Sequence, residues 1–268
     1  MKKILQIVIL LFTILGCEEV IEVDINSTDP QIIIEAQITD SIEKNGVLIT
    51  KSTDFYEPNE YDKISDAEIV IEDEMGNSYL LSETEPGYYQ HSSLLAQPLT
   101  EYSISVKVGG ELYTAESFAP PVLNIDSLSY KFEPRPFNDK KYLELHVHFQ
   151  DPVDESNYAR IVVYKNDEKI DKIFLYDDRL TNGNEIDFFF FNFDEDEEFK
   201  PGDEIKVELW SIDQRSHTYF RTLRRALAAS TGGPFGPASP SNPTTNWNND
   251  AFGYFSASGI RTMSLKIK

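Results

Sequence analysis

The sequence has 268 residues, of which 46 are acidic and 24 are lysine or arginine, so its formal net charge at pH 7 is −22. This charge excludes nucleic acid as the expected partner, because binding to phosphate depends on lysine and arginine. A hydrophobic fraction of 40% excludes a disordered chain, and a single cysteine excludes a fold held together by disulfides.

The first 16 residues have the layout of an export signal. Lys2 and Lys3 give a cationic start, and residues 4–15 are almost wholly apolar. A helix of about 12 residues is too short for a bilayer core of about 30 Å, so a spanning helix does not fit this segment. A charged start, an apolar run and a small residue before a cleavage site are typical of a secretory signal. We therefore predict a signal peptide over residues 1–16, cleaved after Gly16.

The only cysteine follows this segment directly. Residues 14–17, Ile-Leu-Gly-Cys, resemble the bacterial lipobox. The resemblance implies that the thiol of Cys17 takes a diacylglyceryl group through a thioether bond and becomes the first residue of the mature chain. The alternative is a buried free cysteine, since cysteine packs as a small hydrophobic residue. We expect this covalent lipid and no cofactor.

Carboxylates follow the cysteine at Glu18, Glu19, Glu22 and Asp24. Residues 17–29 are therefore predicted to form a solvated, lipidated tether. The acids also resemble the export tag of surface-exposed lipoproteins of the Bacteroidota. The predicted location is the outer membrane, with a lipid anchor and display on the cell surface, and the alternative is an anchor that faces the periplasm.

Residues 30–120 alternate between apolar and polar side chains as strands do. Residues 31–40 place their apolar side chains on one face, which is typical of a half-buried strand. A hairpin is predicted to turn at residues 75–77, and Gly109-Gly110 supplies the positive φ of another tight turn. The prolines at 120–121 cannot donate to a sheet and favour a boundary. We predict an Ig-like or prealbumin-like β-sandwich over 30–120.

Residues 121–268 predict a second β-sandwich, so the expected fold class is all-β with two sandwich domains. A helix is predicted near 214–229, with Asp213 or Ser216 as its cap and apolar residues at helical spacing. Residues 230–250 are rich in glycine, proline and asparagine and predict a long loop. Such a loop inside a compact domain is usually functional or disordered.

Several segments, in their order along the chain, resemble a known family. They are AEIVIEDEMGNSYLLSETEPGYYQ, YSISVKVGGELYTA, FQDPVDESNYARIVVY, PGDEIKVELWSID and NPTTNWNNDAFGYFSASG. With the lipobox and the acidic tether, they resemble a Bacteroidota outer-membrane lipoprotein family recorded as domain of unknown function 4249. The resemblance covers nearly the whole mature chain. It implies an accessory lipoprotein found alongside TonB-dependent outer-membrane receptors, and it brings no catalytic residues.

Three aromatic residues in and after the long loop are the candidate ligand or partner contacts. They are Phe235, Trp247 and Tyr254. Exposed aromatic side chains are typical interface anchors and also stack on sugars, so a peptide or glycan ligand is expected. The alternative is that Trp247 plugs the sandwich and that residues 253–255 open a core strand.

Two groups of residues could hold a metal ion. Asp194, Asp196 and Glu198 belong to a run of five acids that could surround calcium, but the spacing and glycine of an EF-hand are missing and a solvated turn is favoured. His146 and His148 alternate on one strand and could begin a metal site, but an exposed strand face is favoured. No metal is therefore predicted.

The sequence contains no GxSxG, HExxH, P-loop or dinucleotide-binding motif. We therefore expect a protein that is not an enzyme. The favoured function is that of an accessory partner of a TonB-dependent receptor, which helps to capture or retain a nutrient. The alternative is a stand-alone surface lipoprotein of carbohydrate-binding or adhesin type.

Overall fold

A computed structural model describes residues 30–52, 61–134, 141–153, 155–179, 181–191, 198–230 and 241–268. Several residues singled out in the sequence lie outside these ranges, namely Gly16, Cys17, Glu18, Glu19, Asp194, Asp196 and Phe235. Within the described ranges, no helix has both the length and the apolar character needed to cross a bilayer.

The described chain forms one large sheet and two smaller ones. The large sheet consists of β1 (Ile32–Thr39), β2 (Gly46–Lys51), β5 (Ser82–Glu85), β6 (Tyr88–Gln90), β11 (Tyr158–Lys165), β12 (Glu168–Lys169), β13 (Phe174–Asp177), β15 (Glu204–Ile212) and β16 (Phe252–Lys266). Its strand order is β12-β11-β15-β16-β1-β2-β6-β5, and β13 pairs with β11 beside this path. Strands β1 and β16 run parallel, and the other pairs of this sheet are antiparallel.

The two smaller sheets cover different parts of the large one. The four-stranded sheet consists of β3 (Glu68–Asp73), β4 (Ser78–Leu80), β7 (Thr100–Val108) and β8 (Glu111–Ala119), in the order β4-β3-β7-β8. The three-stranded sheet consists of β9 (Ser127–Pro134), β10 (Lys141–Gln150) and β14 (Glu185–Phe191), in the order β14-β10-β9. Packed sheets of this kind are sandwiches, and they confirm the predicted all-β fold class.

Each small sheet encloses a hydrophobic core against the large sheet. Among the buried side chains under the four-stranded sheet are Ile34, Ile49, Ile71, Ile104 and Phe255. Among those under the three-stranded sheet are Leu145, Phe149, Ile161, Val207 and Leu209. The alternation of each strand directs these side chains inward, and burying one contributes roughly 1.5–3 kcal/mol.

The long strand β16 belongs to both sandwiches. Its residues 252–258 pair in parallel with 33–39 of β1, and its residues 259–266 pair with β15. Phe255 and Ala257 of β16 therefore complete the core whose other strands come from residues 30–120. The two predicted units therefore share a central strand. The sequence does not predict this sharing, because the paired segments lie at opposite ends of the described chain.

The tight turns have backbone angles that suit glycine, asparagine and aspartate. Gly109 and Gly110 join β7 to β8 with φ values of 60° and 88°. Asn166 and Asp167 join β11 to β12 with φ values of 52° and 68°. Two successive positive φ values give a hairpin turn whose twist matches that of the paired strands.

One carboxylate starts the helix and ties it to the four-stranded sheet. The helix α1 (Gln214–Ser230) follows β15 directly and lies close to the predicted range of 214–229. Asp213 Oδ1 accepts a hydrogen bond from the backbone nitrogen of Ser216 at 2.7 Å, which makes Asp213 the cap. Its Oδ2 accepts from the Ser117 hydroxyl at 3.1 Å and from the Phe118 backbone nitrogen at 3.2 Å. Asp213 therefore fixes where α1 lies on the sheets.

We expect Gly253→Ala to destabilise the fold strongly. Gly253 has a φ of 95° and pairs with Ile34, whose carbonyl oxygen would overlap with an added Cβ. Backbone strain and overlap together should lower the free energy of unfolding by about 3 kcal/mol or more. Gly202 has a φ of 100° in open space, so Gly202→Ala is the matched control and should lose only about 1 kcal/mol. Urea unfolding measures both variants, and equal losses would contradict the importance of this contact.

Candidate functional site

Trp247 lies in the core and not on the surface. Its side chain is 6% exposed and packs with the residues under the four-stranded sheet. The indole Nε1 donates a hydrogen bond to the carbonyl oxygen of Ile34 at 3.0 Å. The prediction of Trp247 as an exposed contact residue is therefore corrected, because its polar atom is satisfied by backbone and its ring fills the sandwich.

Tyr254 is also a packing residue. It is 8% exposed, and its ring stacks on that of Tyr219 with a centroid distance of 4.8 Å. Its hydroxyl donates to Gln37 Oε1 at 3.3 Å. The prediction of Tyr254 as an exposed contact is corrected in the same way, although its ring does form part of the wall of a cleft under α1.

The described end of the predicted loop covers the free edge of β8. Asn246 Nδ2 donates to the carbonyl oxygens of Glu116 and Phe255, and its Oδ1 accepts from the Phe255 backbone nitrogen. Asn248 Oδ1 accepts from the backbone nitrogen of Thr114 at 2.7 Å. These side-chain amides replace a neighbouring strand, so this asparagine-rich segment protects a sheet edge from pairing with another chain.

A wide cleft of about 780 Å³ lies over the outer face of the four-stranded sheet, beside the start of α1. The polar side chains in its lining include Ser103, Ser105, Thr114, Glu116, Arg215 and Thr218. Arg215 Nη1 lies 3.4 Å from Glu101 Oε1 and 3.6 Å from Glu116 Oε2 at the surface. Because these charges are half exposed, water can replace their contacts at little cost, and the cleft offers few fixed groups to a ligand.

A second cleft of about 430 Å³, which we call the helix–sheet cleft, lies between α1 and the outer face of the large sheet. Its aromatic lining consists of Tyr164, Trp210, Tyr219, Phe220 and Tyr254. Its charged lining consists of Glu35, Lys44, Arg160, Lys169 and Asp171. Trp210, Tyr219, Phe220 and Tyr254 are buried and form the packed wall of the cleft, whereas Tyr164 and the charged groups are partly exposed. Convergent polar groups in a concave site are typical of ligand sites, so this cleft is the candidate functional site.

A buried carboxylate organises one side of the helix–sheet cleft. Glu208 accepts from Lys44 Nζ at 2.9 Å, from the Tyr164 hydroxyl at 3.3 Å and from Trp210 Nε1 at 3.1 Å. Partial burial alone would lower the pKa of Lys44, but Glu208 and Tyr164 outweigh it and hold this pKa above its usual value. Lys44 therefore stays charged, and the rings of Tyr164 and Trp210 are fixed in place.

Glu35 lies on the other side of the helix–sheet cleft. The Glu35 side chain reaches water, but protein atoms surround most of its carboxyl group. This partial desolvation raises the pKa of Glu35, although the positive charges of Arg160 and Lys169 oppose the increase. The Arg160 guanidinium lies over the Phe220 ring at 4.1 Å. Burial raises the pKa of Tyr254 to about 12, so its phenol stays neutral. Several titratable groups with shifted pKa values in one cleft are typical of functional sites.

This arrangement suits recognition of a ligand that has flat apolar surfaces and polar groups. The partly exposed side chains of Tyr164 and Leu227 can pack against a sugar or against a proline or aromatic side chain. Glu35 can accept hydrogen bonds from such a ligand, while Arg160 and Lys169 can donate them. The site therefore offers both signs of charge on one apolar surface.

The sequence gives little warning of the helix–sheet cleft. Its charged residues come from segments far apart, with Glu35 on β1, Arg160 on β11 and Glu208 on β15. Each occupies a polar position in an alternating strand, which alone indicates a solvated face. Only the cover provided by α1 makes these polar faces part of a site.

Of the acidic run considered for calcium, the described residue is Glu198. Its backbone carbonyl accepts a hydrogen bond from Lys165 Nζ at 2.9 Å. A lysine at this position competes with a cation for the same oxygen. This contact gives no support to a calcium site that includes Glu198.

We expect Glu35→Gln to stabilise the protein at neutral pH and not in acid. A carboxyl group whose pKa is raised by folding stabilises the fold fully below its unfolded pKa, and this contribution is lost as the pH rises through the folded pKa. At pH 7 the variant avoids the cost of the ionised group, and near pH 4 the two proteins should differ little. Urea midpoints at both pH values measure the difference. Glu68→Gln on the exposed side of β3 is the control, and an equal gain there would contradict the explanation.

Comparison with known proteins places the chain in a family. The model described as "Domain of unknown function (DUF4249)" matches residues 18–264. No curated protein matches the sequence. Because the family match covers nearly the whole chain, as the order of the quoted segments predicts, the chain belongs to the DUF4249 family.

Proposed function

We propose that the protein is a non-enzymatic, lipid-anchored outer-membrane protein that binds a ligand on behalf of a TonB-dependent receptor. The observation that carries the binding role is the helix–sheet cleft, where aromatic walls meet charged side chains of both signs. Its volume of about 430 Å³ lies within the range of about 300–1,000 Å³ that small-molecule sites occupy.

A peptide or a glycan is the class of ligand that this lining favours. Tyr164 and Leu227 offer apolar surface, and Glu35 and Arg160 offer hydrogen bonds of opposite polarity close to it. Both classes of ligand combine flat apolar patches with donors and acceptors. A nutrient of this kind would be held by the protein before it passes to the receptor.

The proposed anchoring rests on the sequence. Residues 14–17 resemble a lipobox, and a lipid on Cys17 with two or more acyl chains would hold the chain stably, at about 0.8 kcal/mol per buried CH₂. The net charge of −22 keeps the folded body away from anionic lipid, so the acidic residues after Cys17 would act as a spacer. The partnership with a receptor is supported by the resemblance that the quoted segments carry.

The second candidate function is a stand-alone surface protein that binds carbohydrate. The partly exposed ring of Tyr164 in the helix–sheet cleft favours it, because aromatic rings stack on sugars. The two functions share a binding site and differ in the partner. Copurification therefore distinguishes them.

We expect a TonB-dependent receptor to copurify with the tagged chain from detergent-solubilised outer membrane. Cys17→Ser is the control, because a chain without lipid should move to the aqueous phase in detergent phase separation and lose the receptor. A lipidated chain that brings no receptor with it would refute the partnership and favour the stand-alone function.

We expect Leu227→Arg to reduce ligand binding on glycan and peptide arrays by about tenfold or more, which corresponds to about 1.4 kcal/mol. Leu227 lines the helix–sheet cleft and is 53% exposed, so an arginine there obstructs the cleft without entering a core. Met75→Arg adds the same charge at a position that is 67% exposed on the turn after β3, and it should bind as wild type does. Trp247→Ala is unsuitable for this test because Trp247 is buried in the core. Equal binding by both arginine variants would contradict the assignment of the site.

A further inference from the structure

Two histidines and an aspartate meet on the outer face of the three-stranded sheet. His146 and His148 lie two residues apart on β10, so their side chains project from the same face. In the register with β14, His148 is paired with Asp187 and His146 with Phe189. The cross-strand pairing therefore brings one carboxylate beside both imidazole rings.

The distances between these side chains are short. His146 Nδ1 lies 2.6 Å from Asp187 Oδ1, and His148 Nδ1 lies 3.8 Å from the same oxygen. Each of the three residues has one possible metal-ligand atom that lies within 4.8 Å of those of the other two. The two rings are stacked, with centroids 6.0 Å apart and planes 9° apart. Both imidazoles thus present Nδ1 to one point beside the carboxylate.

The burial of His146 corrects the prediction of an exposed strand face. Its side chain is 2% exposed, and its ring lies 5.8 Å from that of Phe189. His146 Nε2 is buried and forms no hydrogen bond with the described residues, although Glu144 Oε1 lies 3.0 Å away. This imidazole lies between two carboxylates and is not a solvated surface group. A buried nitrogen without a hydrogen bond is uncommon in a folded protein, so its presence here needs an explanation.

We propose that His146, His148 and Asp187 bind a divalent transition-metal ion, with Zn²⁺ as the representative. The ligand atoms are Nδ1 of each histidine and a carboxylate oxygen of Asp187. Two nitrogens and one oxygen form a common ligand set for Zn²⁺, whose bonds to these atoms are about 2.0–2.2 Å long. Calcium and magnesium prefer oxygen ligands, so the two imidazoles select against them.

The ligand atoms need only a small shift to surround the ion. In a tetrahedral site with bonds of about 2.0–2.2 Å, neighbouring ligand atoms are about 3.3 Å apart. The distances of 2.6 Å and 3.8 Å from Asp187 Oδ1 to the two nitrogens lie on either side of this value. The Asp187 side chain is 48% exposed, so it can turn away from His146 and towards His148. This movement brings both distances near the required value, and the two imidazoles, whose ligand atoms lie within 4.8 Å of each other, must also come closer together.

The second nitrogen of each ring faces a group that can orient it. His148 Nε2 lies 2.8 Å from the hydroxyl of Ser129 on β9, and His146 Nε2 lies 3.0 Å from Glu144 Oε1. Histidines that bind a metal nearly always direct their other ring nitrogen to a carboxylate, a carbonyl or water, which fixes the ring and its tautomer. A hydrogen on each Nε2 would leave Nδ1 free to bind the ion. We expect Ser129 to act as a positioning residue for His148, whereas Glu144 has to turn before it can accept a hydrogen bond from His146 Nε2.

Three protein ligands leave one coordination position for a further ligand. Asp187 and His148 reach solvent, with side chains that are 48% and 23% exposed, so water can enter from that side. Zinc sites with three protein ligands keep their fourth position for water or substrate, in contrast to closed structural sites. The site is therefore suited to taking up an ion reversibly or to joining a donor group of a bound molecule to the protein.

The test measures Zn²⁺ binding to the full chain carrying Cys17→Ser, which removes the thiol as a competing ligand. Competition with a chelator, in an excess of Ca²⁺ and Mg²⁺ that occupies acidic surface groups, should give one Zn²⁺ per chain. His148→Ala and Asp187→Asn should each weaken binding about 100-fold or more, since loss of a positioning group alone costs about 10–100-fold. His91→Ala, which removes a histidine from another part of the fold, should bind Zn²⁺ unchanged.

Ser129→Ala tests the positioning role, and it should weaken Zn²⁺ binding by about tenfold while the circular dichroism spectrum stays the same. The visible absorption of bound Co²⁺ gives an independent readout, because four-coordinate Co²⁺ absorbs strongly and should lose this band in Asp187→Asn. The opposing explanation is that His146, His148 and Asp187 only contact one another and bind no ion. Absence of saturable Zn²⁺ binding, or binding that survives both His148→Ala and Asp187→Asn, would establish that explanation and overturn the proposal.

Discussion

The parallel pairing of β1 with β16 is the constraint on which the rest of the structure depends. It brings residues 33–39 beside residues 252–258 in the middle of the large sheet, so each sandwich is built outward from it. The carbonyl of Ile34 accepts the indole hydrogen of Trp247, and only a glycine at position 253 allows the backbone to approach that carbonyl. A register shift of one residue would turn Ile34 outward and Glu35 into the core, so this pairing also sets the floor of the helix–sheet cleft.

The sequence predicts features whose cause lies within a few residues. Alternating apolar residues identify the strands, residues 75–77 and Gly109-Gly110 identify two turns, and Asp213 is one of two residues proposed as the cap of the helix. These signals are local because they depend on side-chain period, positive φ or a single capping hydrogen bond. The fold class follows from them.

The features that the sequence does not predict depend on contacts between distant segments. The sequence neighbours of Trp247 are asparagine and threonine, which indicate a loop. Its ring nevertheless lies in the core, among strands from the other end of the chain. His146 shares its face of β10 with the polar residues Glu144 and His148, and Phe189 of the neighbouring strand β14 packs against its ring. The helix–sheet cleft likewise exists only because α1 returns over the sheet. In each case the relevant partner is far away in sequence.

The residues that carry the family resemblance mainly hold the architecture. Asn246 bridges β8 and β16, Asp213 joins α1 to β8, and the backbone nitrogen of Asn157 donates to buried Asp178 at 2.8 Å. Asp151 similarly accepts from the backbone nitrogen of Gly183. In this chain, these residues of the quoted segments therefore close loops and sheet edges. What the protein binds depends on surfaces between these fixed points.

The place of β16 has a consequence for the time course of folding. It is synthesised after all the other described strands, and until it arrives β1 and β15 each lack a neighbour in the centre of the large sheet. Pairing between segments so far apart raises the contact order and slows folding. An incomplete chain therefore cannot settle into a finished sandwich. If the chain is exported as its first 16 residues predict, this delay would keep it unfolded enough to pass through a narrow secretion channel until its last strand has been made.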